Sequence, residues 1–176
     1  MKNNVVIIGM PGAGKTTIGR LLGEALNVKF IDMDEYIIQK TGKTTAQLFE
    51  NGEEYFRDIE TEACKDLMSL DNVLVSTGGG TIKRQVNVDM LRDNGLVIFI
   101  DRAVEDILSD IDTSARPLLK DHKENVIKLY NERYEIYKAS ADVIVPNDKD
   151  IILVINNIKE IIKANKNDNE NNEVCL

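Results

Sequence analysis

The 176-residue chain is short of the residues that build stapled or metal-centred folds: it has two cysteines and one histidine. Cys64 falls in a helical stretch and Cys175 in a polar tail, so neither a disulfide framework nor a cysteine-rich metal site is expected. His122 has no cysteine or second histidine at ligand spacing and reads as a surface residue. Long apolar runs are missing too. No stretch approaches the roughly 18 residues that span a bilayer. The run at 5–8 is too short for the core of a signal peptide and leads straight into a glycine loop. A cytoplasmic protein without a membrane partner is therefore expected. Positive charge is in deficit, with 22 Lys and Arg against 30 Asp and Glu, a net charge of −8. That balance disfavours a broad nucleic-acid footprint. It still allows a few arginines to gather around a small anion in one cleft. No internal repeat is present.

What the chain does have is alternation. Short runs rich in β-branched residues predict strands at 5–8, 28–31, 73–76, 97–100 and 143–145. Helical patterns lie between them at 16–26, 34–41, 55–70, 87–93, 104–110 and 125–138. A last one at 151–163 carries Ile151, Ile152, Ile155, Ile158 and Ile162 on one stripe. The order predicts an α/β fold with a mostly parallel sheet covered on both faces. In such sheets ligands bind outside the carboxyl ends of the strands. The length suits one domain over 1–164. The Asn-, Asp- and Glu-rich segment 165–176 is expected to be a disordered tail.

Gly9-Met10-Pro11-Gly12-Ala13-Gly14-Lys15-Thr16 fits the phosphate-loop pattern G-x-x-x-x-G-K-[ST], between a predicted strand and a predicted helix as that motif requires. Its glycines let successive backbone N–H groups face one concavity, and the helix N-terminus adds its dipole. Gly12, Ala13, Gly14, Lys15, Thr16 and Thr17 are the expected ATP-binding segment. Lys15 would reach the β- and γ-phosphates, and the Thr16 hydroxyl would ligate Mg²⁺. The competing reading is a plain glycine turn before a helix; the strand, loop and helix together weigh against it. The chain has no Asp-x-x-Gly switch of a GTPase and is too short for a motor ATPase, which leaves a small-molecule kinase.

Five further clusters lie beyond the phosphate loop. Asp32 and Asp34 come after the second strand, where an extended segment would point both carboxylates the same way. One could hold Mg²⁺ through water while the other orients or deprotonates an acceptor hydroxyl; a helix N-cap is an equally common use. Arg57 and Glu60 stand at i, i+3 on a helix, either as a surface ion pair or as an arginine fork held ready for a carboxylate. Gly78-Gly79-Gly80 ends the third strand, where three costly glycines suit a backbone that a ligand must touch. Arg116-Pro117-Leu118-Leu119 follows a polar stretch and suits a lid over about 110–124 whose arginine meets phosphate on closure. Arg133 and Tyr137, at i, i+4 on the penultimate helix, read in isolation as an arginine packed over a tyrosine.

In order and spacing these residues resemble the shikimate kinase family, from about residue 4 to about residue 142. The likeness rests on the phosphate loop, Asp32-Met33-Asp34, Gly52-Glu53 through Phe56-Arg57 to Glu60, Gly78-Gly79-Gly80, Arg116-Pro117-Leu118-Leu119, Arg133 with Tyr137, and Ala141-Asp142. The resemblance implies a three-layer α/β/α fold like that of nucleoside monophosphate kinases, with a five-stranded parallel sheet, a lid, and an acceptor-binding segment over about 32–62. It implies transfer of the ATP γ-phosphate to the 3-hydroxyl of shikimate. Lys15, Asp34 and Arg116 would be catalytic; Asp34, Arg57, Gly79, Gly80 and Arg133 would bind shikimate; Thr16 and Asp32 would serve Mg²⁺. A monomer is expected.

Two departures accompany the likeness. Ser109 stands where the family often has an adenine-stacking arginine, and Asp110 and Asp112 beside it are expected to repel ATP. The stretch after Arg133 lacks the family's proline, so the helix should run smoothly past it. The alternatives are a related kinase of another hydroxy-acid such as gluconate, or a non-catalytic nucleotide-binding regulatory module.

Overall fold

The computed structural model describes residues 3–110, 119–148 and 150–173. Five strands form where the β-branched runs predict them: β1 (Asn4–Ile8), β2 (Lys29–Asp32), β3 (Val73–Ser76), β4 (Gly95–Asp101) and β5 (Val143–Pro146). All pair in parallel, in the order β2-β3-β1-β4-β5. β1 is central and buried at every position, because Val5 to Ile8 have sheet on both sides and helices on both faces.

The chain leaves β1 for the far edge and then steps back across the sheet. With right-handed crossovers, the helix between β1 and β2 and the helices of the later crossovers must lie on opposite faces. One layer is α1 (Lys15–Leu26) with α8 (Ile151–Glu173), and the other holds α4 (Glu53–Met68), α5 (Gln85–Asn94) and α7 (Leu119–Ser140). The remaining helices are α2 (Met33–Thr41), α3 (Thr45–Phe49) and α6 (Val104–Ser109). The core runs on both sides of the sheet through Ile7, Ile98, Phe99, Leu22, Leu67 and Ile158. The result is the three-layer α/β/α arrangement expected of a nucleoside monophosphate kinase-like fold. Among the described residues no helix is long and apolar enough to cross a membrane.

Three features differ from the expectation. α3 is an additional helix, closed by a capping box in which the Thr44 hydroxyl accepts from the Gln47 amide and the Gln47 side chain accepts from the Thr44 amide. α8 continues to Glu173, through the first part of the segment whose composition suggests a disordered tail. α2 begins at Met33, so Asp32 ends a strand and Asp34 sits in the first helical turn; they do not share one extended segment. α7 runs unbroken past Arg133, as the missing proline predicts.

Candidate active site

The carboxyl ends of β1, β2 and β3 meet at one cleft. β1 delivers the phosphate loop, in which Gly9, Gly12 and Gly14 all take positive φ before α1 starts at Lys15. Three side chains hold the loop's carbonyls, one from the loop itself and two from outside it. Lys15 Nζ donates to the Met10 carbonyl at 2.9 Å, Arg102 to Gly12 at 3.0 Å, and the Asn147 amide to Ala13 at 3.0 Å. With the carbonyls so engaged, the turn is one that offers its amides to an anion. Ala13 and Lys15 are buried, Gly14 and Thr16 half-buried, Gly12 and Thr17 exposed. Burial pushes Lys15 down to about 8 despite the opposing pull of Asp34 and Asp32. A polyphosphate would add to the counter-charge that Asp34 and Asp32 give this lysine.

The Thr16 hydroxyl donates to Asp32 at 2.7 Å, while the other Asp32 oxygen caps α2 through the amides of Asp34 and Glu35. Capping and metal-side readings of Asp32 therefore coexist, one per oxygen. Among the described residues no group of three or more His, Cys, Asp or Glu could hold a metal. A hydroxyl and one carboxylate beside a phosphate cradle is nonetheless a donor set that fits Mg²⁺, which keeps waters and borrows phosphate oxygens.

Asp34 is exposed as a residue, but its carboxylate reaches the glycine loop and feels the charges of Lys15, Arg57 and Glu60. Burial, then Asp32 and Glu60, raise its carboxyl above the usual range, against Lys15 and Arg57. Arg57 is 6% exposed and thus no surface residue. It donates to Glu60 at 2.7 Å and to Glu53 at 3.2 and 3.3 Å, with Phe56 and Phe49 rings 5.2 and 5.8 Å from its guanidinium carbon. Lys83 also bonds Glu53.

The triple glycine explains itself by what surrounds it. A Cβ on Gly78 would stand 2.9 Å from an Asp34 oxygen, one on Gly79 2.7 Å from the Pro11 ring, and one on Gly80 2.4 Å from an Arg57 nitrogen. The acceptor-side backbone thus touches the phosphate loop, the candidate base and the candidate anion fork with no room for side chains. The Gly79 carbonyl accepts from Arg133 at 2.9 Å and from the Tyr137 hydroxyl at 2.5 Å. Tyr137 is buried against Phe99, and burial pushes its phenol up to about 12, so it stays a donor. Among the described residues the buried Arg133 Nε has no hydrogen-bond partner. A cavity of about 470 Å³ is lined by Arg57, Arg133, Lys83 and Lys128 together with the carboxylates of Glu53 and Glu132. Its four cations outnumber its two carboxylates, a balance that suits an anionic small molecule.

The structure thus brings Lys15, Thr16, Asp32, Asp34, Arg57, Gly79, Gly80 and Arg133 together. Arg116, Asp112 and most of the expected lid lie outside the described residues. Asp110 does not present a free charge to the nucleotide side, because it pairs with Arg102 at 2.6 Å. The site also contains Thr81 and Arg102, and Glu53 in a direct role beside Arg57, none of which the sequence singles out as a site residue. Glu53 had a signal, standing one helical turn before Arg57. Arg102 had none, since its partners Gly12 and Asp110 are brought to it by the sheet order and α6.

A family model described as shikimate kinase matches residues 11–163. The chain is 59% identical to the shikimate kinase of Clostridium botulinum strain Alaska E43 over 165 residues, which cover 94% of this chain and 100% of that protein. It is 53% identical to that of Clostridium beijerinckii, over 94% of this chain and 98% of the relative. Among solved structures, the shikimate kinase from Acinetobacter baumannii in complex with shikimate superposes with a TM-score of 0.84 at 33% identity, covering 93% of this chain and 94% of that one.

Proposed function

The chain belongs to the shikimate kinase family of ATP-dependent phosphotransferases, and we propose from that premise that its cleft transfers the γ-phosphate of ATP to the 3-hydroxyl of shikimate. The products are ADP and shikimate 3-phosphate, a step toward the aromatic amino acids. The single observation that supports the assignment most is the place of Asp34, between the donor-side Lys15 and the acceptor-side Arg57.

The roles follow from charge and position. The phosphate-loop amides, from Gly12 to Thr17, and Lys15 hold the triphosphate. Thr16 and Asp32 would hold Mg²⁺, which would supply positive charge to the phosphates. Arg57 and Arg133 grip the shikimate carboxylate, and Gly79 and Gly80 line the same pocket. Asp34 accepts a hydrogen bond from the reacting hydroxyl and aims its oxygen at the γ-phosphorus. The new O–P bond forms as the bond to the β–γ bridging oxygen breaks, and the hydroxyl proton passes to Asp34. Its raised affinity for a proton suits that task. A loose transition state asks mainly for positioning and positive charge, which Lys15 and Arg116 supply.

The test is ADP release from Mg-ATP with a panel of acceptors. Shikimate should stimulate release and gluconate should not. Stimulation by gluconate alone would replace this reading, and tight ATP binding without stimulation by any acceptor would favour a regulatory module.

A further inference from the structure

Thr81 is the first residue after the triple glycine, and it is fully buried. Its amide donates to the Gly78 carbonyl at 3.2 Å, and its own carbonyl accepts from the buried Asn87 side chain at 3.0 Å. The residue is therefore fixed to the glycine loop from both sides. Its hydroxyl donates to Glu60 at 2.7 Å, with the Met33 sulfur at 3.7 Å on the other side.

Glu60 is 1% exposed. One of its oxygens accepts from Arg57, the other from Thr81. Without the hydroxyl, the second oxygen would be a buried carboxylate oxygen short of a donor, near the carboxylate of Asp34. Such a group does not stay put: it turns to the nearest remaining cation, which is Arg57. The fork facing Gly80 would then rotate away from its aim.

We propose that Thr81 is a positioning residue for the acceptor: through Glu60 it fixes the direction in which Arg57 presents its guanidinium to the shikimate carboxylate. The inference rests on the reading of Arg57 given above.

Thr81→Val keeps the shape and removes only the hydroxyl. It should raise the KM for shikimate about tenfold or more, since the bond lost is to a charged group, with the KM for ATP nearly unchanged. Thr81→Ser should restore the wild-type value. In a Glu60→Gln background, Thr81→Val should have no comparable further effect, because the two act in one chain. Should Thr81→Val not fold, Thr81→Ala against Thr81→Ser makes the same comparison. An unchanged KM for shikimate, an equal loss toward both substrates, or full additivity with Glu60→Gln would overturn the proposal. Arg57→Ala is the control: if it leaves the KM for shikimate unchanged, the reading of Arg57 fails and the inference goes with it.

Discussion

The hydroxyl of Thr16 and the carboxylate of Asp32 lie 2.7 Å apart, joining the first turn of α1 to the end of β2. The two residues are sixteen positions apart, and β2 is two strands away from β1 in the sheet. The bond places a metal-side hydroxyl and a carboxylate together before any cation arrives. It also gives Asp32 two tasks that substitution can separate.

Asp32→Asn retains a capping oxygen and should leave thermal stability near that of the wild type, while raising the Mg²⁺ concentration needed for half-maximal rate. Asp32→Ala should show the same Mg²⁺ effect and also lose about 1 kcal/mol of stability with the cap. Melting curves and a magnesium titration of ADP release separate the two. Equal magnesium requirements in wild type and both variants would remove Asp32 from the metal side.

Asp34→Asn should be more stable and less active. The folded-state pKa of Asp34 is raised, so its stability contribution is lost as pH climbs from the unfolded pKa through the folded one. At neutral pH its charge is a cost, mainly of burial, that the amide avoids. The melting temperature at pH 7 should rise while turnover falls about 10²- to 10⁴-fold. A fall in both would show that Asp34 stabilises the cleft rather than straining it.

Lys15 should make ATP binding depend on pH. In the free protein its charge is lost as pH rises through about 8, whereas the bound triphosphate holds the proton. The dissociation constant for ATP should therefore climb about tenfold per pH unit above that value, by linkage of one proton. The depressed value also means that the unfolded chain binds more protons between about 8 and 10.5, so stability without nucleotide gains from Lys15 over that window. Calorimetric titrations from pH 7 to 9.5 test the first statement, and a flat profile would contradict it.

Arg102 and Asp110 should differ in their effect on ATP. Asp110 is largely exposed and already paired, so Asp110→Asn should change the KM for ATP less than twofold, about the scale of a surface ion pair. Arg102→Ala releases the Gly12 carbonyl and should raise that KM severalfold, with the KM for shikimate unmoved. If Asp110→Asn lowered the KM for ATP strongly, the repulsion expected from the bare sequence would be real after all.

Much of the donor side was legible in the chain because its signals are local. A β-branched run, a glycine loop and a helix in succession mark a phosphate loop whatever follows. The acceptor side was legible only as a set in order, since Arg57, Gly79 and Arg133 each have an ordinary reading alone. α3 carried a readable signal in Thr44 and Gln47. The length of α8 did not, because the polar residues beyond Lys163 point equally to solvent-facing helix and to tail.

The amino-acid sequence by itself determined the strands, the phosphate loop and the residue types able to meet phosphate and carboxylate. These depend on backbone preference and spacing over a few residues. Tertiary structure alone decided which groups share a charge environment. Asp34 falls between Lys15 and Arg57, Gly79 lies against Pro11, and Thr81 reaches Glu60 because β3 inserts between β1 and β2. Burial there, rather than residue type, lowers Lys15, raises Asp34 and turns an ordinary i, i+3 ion pair into a fixed anion fork. The Thr16–Asp32 bond is the simplest case: both residues were named as metal-side candidates, and the sheet order brought them within a hydrogen bond.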